Sequence, residues 1–419
     1  MRIENLKYFS YFCSMLINEK TWDFIRQHAD DDVRKLALQG AKDADVDLQM
    51  ALQQIAGRQT ARRKLPSWAA VEGIVYPPHL NMEQCSSEQT ARYKARIAGK
   101  GEGLVDLTGG FGVDFYWLSQ GFQRRCYVEQ NEALCAISSH NFEVLGLDST
   151  VCCCDSATYL ATMPHVDLVY MDPARRNEHG GRAYGIEDCS PNVLELLPLL
   201  MEKADRVLLK LSPMLDWRKA VTDLQYPLSI IHHPSTFVSE VHIVSIDNEC
   251  KELLLLLEKE RTDLRVVCVN FTKDGEQFFE AFERNGLSLG EKRPLAIRET
   301  AFLYEPNASI MKAGCFEEVT QRFPVQQISQ NSHLFLSSVE IDDFPGRRFQ
   351  ISSISSMNKQ ELRTALKEIE RANITVRNFP LSADQLRKKL KLKEGGDVYI
   401  FATTMADGEH RLLICRKIG

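Results

Sequence analysis

The chain has 419 residues, too many for one ordinary domain, so two or three domains are expected. Hydrophobic residues make up 44 % and charged residues 26 %, the balance of a globular protein in water. The longest aliphatic run, LLLLL at 253–257, is flanked by charges and too short to span a bilayer, and MRIENLKYFSYF lacks the layout of a signal peptide. A cytoplasmic protein with no membrane contact is expected.

Twelve cysteines raise the question of metal or disulfides. Cys152, Cys153 and Cys154 are consecutive, and neighbours on a strand face opposite ways, so they do not make a zinc cluster. CxxC pairs are absent, and His232–His233 has no third ligand at convincing spacing. Buried, reduced thiols and no metal are expected. The net charge of -6 does not advertise nucleic-acid binding. It is unevenly spread: residues 344–419 hold 15 Lys and Arg against 8 Asp and Glu, a local +7. A basic end on an acidic body can dock an anionic polymer, or it is ordinary solvated surface.

In chain order, residues 1–80 read as a helical domain. Aliphatics fall at helical spacing, Asp30–Asp32 suit a helix N-terminus, and Pro66 and Pro77–Pro78 mark a linker. A capped helix follows, with Ser86 or Ser87 as cap. Strand-like and helical segments then alternate: GLVDLTGGFGVD, DFYWLSQG, CYVEQN, EALCAISSHNFEVLG, STVCCCD, VDLVYMDPARR, NVLELLPLLMEKA, DRVLLKLSP. This alternation predicts a Rossmann-like doubly wound α/β domain over 81–236. Residues 237–335 read as a small α+β domain, ferredoxin-like in one reading. Residues 340–419 read as helix, strand, helix, strand, turn, strand, with Asp407–Gly408 as the hairpin signal.

The chemistry concentrates at strand ends. Asp106, Thr108, Gly109, Gly110 and Gly112 lie just past the first strand, where glycines permit a tight turn and close approach of backbone amides to a ligand. Glu129 ends the next strand, where an acid accepts both ribose hydroxyls of an adenosine cofactor, and Asp155 ends the third, near the adenine. Together these predict S-adenosyl-L-methionine as cofactor. The rival is a nicotinamide or flavin site, but GGFG lacks the GxGxxG spacing, and Asp106 suits an ammonium better than a pyrophosphate.

VDLTGGFGVD, running from Val105 to Asp114, resembles the first motif of class I methyltransferases, in the D-x-T-x-G-x-G-x-D form of some ribosomal RNA guanine-N2 enzymes. The resemblance implies cofactor contacts for Asp106, Thr108, Gly109, Gly110, Gly112, Asp114, Glu129 and Asp155. Asp172-Pro173-Ala174-Arg175 matches the position of the D/N-P-P-x motif that methylates amino nitrogens, with Ala174 for the second proline and Arg175 for the usual aromatic. Asp172, Pro173 and Arg175 are therefore the expected catalytic residues. Arg176 and Tyr184 are expected at the substrate, Tyr184 supplying the missing ring. Alternatively, the arginines only pair with acids. The whole chain is similar to bacterial methyltransferases with a carboxy-terminal THUMP-like domain, which implies RNA, tRNA or ribosomal RNA, as partner.

Lys388, Lys389 and Lys391 belong to a basic amphipathic helix, with Arg387 and Lys391 on one side and Lys389 and Lys393 on another, that would touch phosphates. Three functions follow: methylation of an exocyclic or ring nitrogen of an RNA base, methylation of a protein or small molecule, or RNA binding by a relic fold. Oligomeric state stays open.

Overall fold

The computed structural model describes residues 17–175, 185–225, 237–260, 262–283 and 301–418. It forms two units, Met1–Ser239 with Leu254–Thr262, and Glu240–Leu253 with Asp263–Gly419. Arg176, Tyr184 and His232–His233 lie outside the described residues.

The first unit begins with helices α1 (Glu19–Gln27), α2 (Val33–Gln39), α3 (Leu48–Lys64), α4 (Pro66–Ala69), α5 (His79–Gln84) and α6 (Glu88–Ala98). Asp32 caps α2, accepting from the amides of Arg34 and Lys35 at 2.9 and 3.1 Å. Gly40, at φ 71°, stops that helix, so the run from Asp30 to Leu65 is two helices separated by a turn. Pro66 opens α4 instead of lying in a linker, because proline's fixed φ and missing N–H suit a first helical position. Ser87 is the cap of α6. Trp68, Ile74 and Tyr76 pack with Phe111 and Val113, so the helical segment and the α/β segment share a core. The Asn141 side chain joins them by exchanging bonds of 2.8 and 2.9 Å with the Val75 backbone.

The α/β segment runs β1 (Gly101–Asp106), α7 (Val113–Ser119), β2 (Phe122–Glu129), α8 (Glu132–Val144), β3 (Thr150–Cys153), α9 (Ser156–Thr162), β4 (Val166–Met171), β5 (Ala174–Arg175), β6 (Cys189–Ser190), α10 (Val193–Lys203), β7 (Ala204–Leu211) and α11 (Trp217–Gln225). Strands β7, β4, β1, β2 and β3 lie side by side in that order, all parallel. Leu104, Val105, Leu168, Val169, Val207 and Leu208 are buried, each contributing about 1.5–3 kcal/mol of burial. This is the doubly wound fold the sequence predicts. The chain leaves β1 toward β2 and β3 on one side and returns to β4 and β7 on the other. The order therefore reverses between β1 and β4, where such sheets open a crevice at their carboxyl ends.

Strand β10 (Leu264–Thr272) pairs parallel with β8 (Phe237–Ile246) and antiparallel with β11 (Gly275–Glu283). KELLLLLEKE belongs to strand β9 (Glu249–Glu258), with Leu253–Leu257 buried. Then come β12 (Phe302–Pro306), α12 (Ala308–Ala313), α13 (Phe316–Arg322), β13 (Gln326–Gln327), β14 (Phe335–Ser337), β15 (Gly346–Ser355), α14 (Lys359–Ala365), β16 (Asn373–Arg377), α15 (Ala383–Leu390), β17 (Val398–Thr404) and β18 (His410–Ile418). They build one seven-stranded sheet in the order β13-β14-β12-β15-β18-β17-β16. Among the described residues no helix is long and apolar enough to cross a membrane.

Candidate active site

Sheet order places four acids along one edge: Asp172 after β4, Asp106 ending β1, Glu129 ending β2 and Asp155 after β3. The β1–α7 turn fits beneath them because of its glycines. A Cβ on Gly109 would lie 2.1 Å from the Tyr127 ring, and one on Gly112, at φ 80°, would lie 2.7 Å from Phe142. Gly110 is different. It has φ 55°, the left-handed region that favours glycine, and only a backbone oxygen, 3.8 Å away, near a Cβ position. Its amide donates to Glu129 Oε2 at 2.9 Å, and the Asn131 amide donates to Oε1 at 2.8 Å. Glu129 is thus held beside the turn, with lone pairs to spare for further donors.

Asp106 is 1 % exposed. Its Oδ1 accepts from the Thr108 amide at 2.9 Å, and the Thr108 hydroxyl receives the Asp172 amide at 2.6 Å, joining the ends of β1 and β4. Burial pushes the Asp106 carboxyl well above its ordinary range; the Thr108 bond opposes this, and the charges of Asp114, Asp172 and Glu129 add to it.

Asp114 faces a different set of partners. Lys94 Nζ lies 3.1 Å from its Oδ1, and the hydroxyls of Tyr170 and Ser86 donate to Oδ2 at 2.7 and 2.8 Å. Burial would raise this carboxyl, but Lys94, Lys210 and the two hydroxyls outweigh it and hold it low. Lys94 is fully buried and also donates to Ser86 Oγ at 3.0 Å. Lys210 lies 3.9 Å from Asp114 and pairs directly with Asp172 Oδ2. A chain of alternating charge, Lys94–Asp114–Lys210–Asp172, therefore runs under the crevice. Asp172, 37 % exposed, is its outer end. Crowding by the surrounding protein pushes the Asp172 carboxyl up, and Lys210 opposes it.

The remaining predicted residues are placed as follows. Pro173 is buried, and the Arg175 backbone pairs with Cys189 in the two-residue β5–β6 ladder. Asp155 is exposed and caps α9, accepting from the Thr158 amide at 2.9 Å. Cys85 is bonded to the Met82 carbonyl, and burial pushes its thiol up to about 11, away from nucleophilic use. The thiols of Cys126 and Cys152 meet at 3.8 Å without a disulfide, and Cys153 is exposed instead of buried. Among the described residues no group of three or more side chains is arranged to hold a metal.

In the second unit Lys388, Lys389, Lys391 and Lys393 are exposed. The basic helix is shorter than its sequence suggests. Lys391 turns left-handed at φ 58° and ends α15 so that Leu392 can bury, which takes Lys391 and Lys393 off the helical face. Arg387 bonds Asp384 at 2.7 Å. Arg347 and Arg377 both donate to buried Glu305. No ion pair is recorded for the four lysines among the described residues.

Sequence reasoning missed Lys94 and Tyr170, and it named Ser86 as a possible helix cap without its bond to Asp114. The one available signal was Lys94 itself, which shares a helical face with Ala91 and Ala98 where an apolar residue belongs.

The sheet, its switch point and its row of acids define a class I methyltransferase fold. Over 100 % of both chains, the protein is similar to a candidate methyltransferase from Porphyromonas gingivalis W83, at 29 % identity and TM-score 0.79. Residues 302–345 match the model of a ferredoxin-like domain, and residues 346–417 match that of a THUMP domain-like family. The chain is a class I methyltransferase-fold protein with a THUMP-like carboxy-terminal domain. Lower similarity links 47 % of it to 97 % of a candidate RNA methyltransferase from Pyrococcus horikoshii (16 % identity, TM-score 0.34). Similarly, 41 % of it aligns with 68 % of the M. capricolum TrmK chain, solved with S-adenosyl-homocysteine (14 %, TM-score 0.31). A comparison with curated proteins finds no match.

Proposed function

We propose that this protein transfers a methyl group from S-adenosylmethionine to an amino nitrogen of a base in RNA. The observation that carries the reading is the half-exposed Asp172 carboxylate, beside the glycine turn at the switch point of the sheet. The charge of the site suits the cofactor. Among the described residues, Asp106, Asp114, Glu129 and Asp172 meet two lysines in this cluster, Lys94 and Lys210, and this excess of acids favours a ligand with cationic groups. The free space on the Cβ side of Gly110 suits close approach of that ligand.

When bound, S-adenosylmethionine supplies a methyl group on a sulfonium centre. Glu129 takes the ribose hydroxyls, Asp155 the adenine edge, and Asp106 balances the ammonium. Asp172 accepts a hydrogen bond from the acceptor amine, aided by the Pro173 carbonyl, and leaves the nitrogen lone pair free to attack. Lys210 opposes the upward push on the Asp172 carboxyl and so favours its ionised form for that task. The THUMP-like domain, with its exposed lysines, supports RNA as the acceptor.

The test is a mass-spectrometric comparison of nucleosides from total RNA with and without the gene, followed by transfer of labelled methyl from the cofactor in vitro. One methylated nucleoside lost in the deletion and restored by the protein is expected. An unchanged nucleoside profile, with label entering protein or a small molecule, would refute RNA as acceptor.

A further inference from the structure

A second site candidate lies in the helical segment, apart from the row of acids. Between α1, α3 and residues 71–76 is a half-open groove of about 350 Å³. Trp22, Tyr76, Arg26, Arg58 and Glu72 line it.

The groove is built, not incidental. Gly57 allows it, because a Cβ there would lie 2.3 Å from Tyr76 Cβ, so only glycine lets the tyrosine press against α3. Gln54 then clamps the Tyr76 backbone from both sides. It accepts from the amide at 2.7 Å and donates to the carbonyl at 2.9 Å. Arg58 follows Gly57 on the same helix, and Arg26 reaches the groove from α1, paired with Asp23. Burial pushes the Tyr76 phenol up to about 12, against the charges of Arg58 and Arg62, so it stays a neutral hydroxyl. Among the described residues no hydrogen bond or ion pair is recorded for the side chains of Arg58, Glu72, Trp22 or Tyr76.

Two guanidiniums, an indole ring and one rim carboxylate in a space of this size match the parts of a nucleotide. Guanidiniums bind phosphate, and aromatic rings hold unpaired bases. A carboxylate accepts the paired N–H donors on the Watson–Crick edge of guanine; uracil offers only one. We infer that this groove binds one nucleotide of single-stranded RNA, its base against Trp22, its phosphate at Arg58 and Arg26, and its donor edge at Glu72. The inference rests on the reading of the protein as an RNA enzyme and adds a second anchoring point on the substrate.

The test uses the full chain and calorimetry with GMP, UMP and inorganic phosphate. Wild type should bind GMP more tightly than UMP, and phosphate more weakly than either. Arg58→Glu should weaken GMP by about tenfold or more, as expected for a lost charge-assisted contact. Arg26→Glu, at an exposed position, should weaken it also and serves if Arg58→Glu melts early. Glu72→Gln should erase the preference for GMP over UMP. Both arginine variants should keep wild-type affinity for S-adenosylmethionine. Equal GMP affinity in wild type and both arginine variants overturns the inference, as does wild type binding GMP no better than phosphate. Nucleotide binding that survives while cofactor binding fails would instead refute the methyltransferase reading and leave the groove standing.

Discussion

Lys210 and Asp172 stand side by side at the ends of two parallel strands, the ammonium donating to the carboxylate. The β4–β7 register sets this up: Met171 lies opposite Leu209, so the next residue of each strand falls beside the other. The lysine is 12 % exposed and the acid 37 %, so the acid faces the crevice with the cation behind it.

Removing that cation should change how the acid titrates. The surroundings already push Asp172 up and Lys210 opposes them, so Lys210→Met moves the acid limb of the kcat–pH profile to higher pH. At neutral pH kcat should fall roughly ten- to a hundredfold with cofactor affinity nearly unchanged, and Lys210→Arg should recover part of it. Asp172→Ala should abolish single-turnover transfer while still binding cofactor. A Lys210→Met enzyme with the wild-type acid limb sinks this account.

Glu129→Ala should weaken S-adenosylmethionine and S-adenosylhomocysteine alike. Each lost charge-assisted bond to the ribose costs of order 1.5–3 kcal/mol, roughly ten- to a hundredfold in Kd. Calorimetry reads this directly, and unchanged affinity would remove Glu129 from the site.

Asp106 predicts a trade between stability and binding. Its carboxyl titrates above the ordinary value of 3.8, so over the intervening range the folded protein holds a proton that the unfolded chain has released. Stability therefore falls as pH rises through that window, and the cost is absent below the unfolded value. Asp106→Asn removes the cost and keeps an acceptor for the Thr108 amide. The variant should match wild type near pH 3 and melt higher at pH 7, by about 2–4 °C for each kcal/mol relieved. It should also bind the cofactor more weakly. A variant that melts lower than wild type at pH 7 would contradict the argument.

Lys94→Met leaves Asp114 buried and short of its nearest cation. Such a break costs about 3–5 kcal/mol, less whatever Lys210 makes up. Urea unfolding should show a lower midpoint, and adding Asp114→Leu should restore part of it. A loss within about 0.5 kcal/mol, the range of ordinary surface changes, would mean that Lys94 is not a main support of this acid.

Changing Lys388, Lys389 and Lys391 together to Glu should weaken RNA binding strongly and flatten its salt dependence, with the slope of log K against log salt falling by about 3. These residues are exposed, so melting temperature and cofactor affinity should hold. Filter binding across a salt series checks it. Equal, salt-insensitive affinities would favour a protein or small molecule as acceptor.

Much of the site was legible because it is written at strand ends. A short apolar run, an acid and a glycine turn are local signals, and alternation of strands with helices implies a parallel sheet whose carboxyl edge collects those acids. Asp172, Asp106, Glu129 and Asp155 could therefore be picked out in order. Helix limits were less legible. Gly40 and the left-handed Lys391 end helices whose polar and apolar pattern continues past them; at Lys391 the turn lets Leu392 bury.

The sequence by itself determined the doubly wound core, the row of acids, the glycine turn and the basic character of the last domain, since each rests on a pattern spanning a few residues. Only the tertiary structure decided what stands behind the acids. Lys94 comes from the helix before β1, Asp114 from the helix after it, and Lys210 from β7. Their meeting depends on strand order and register, set by packing across more than a hundred residues. Periodicity can say which way a side chain faces; it cannot say which charge faces it.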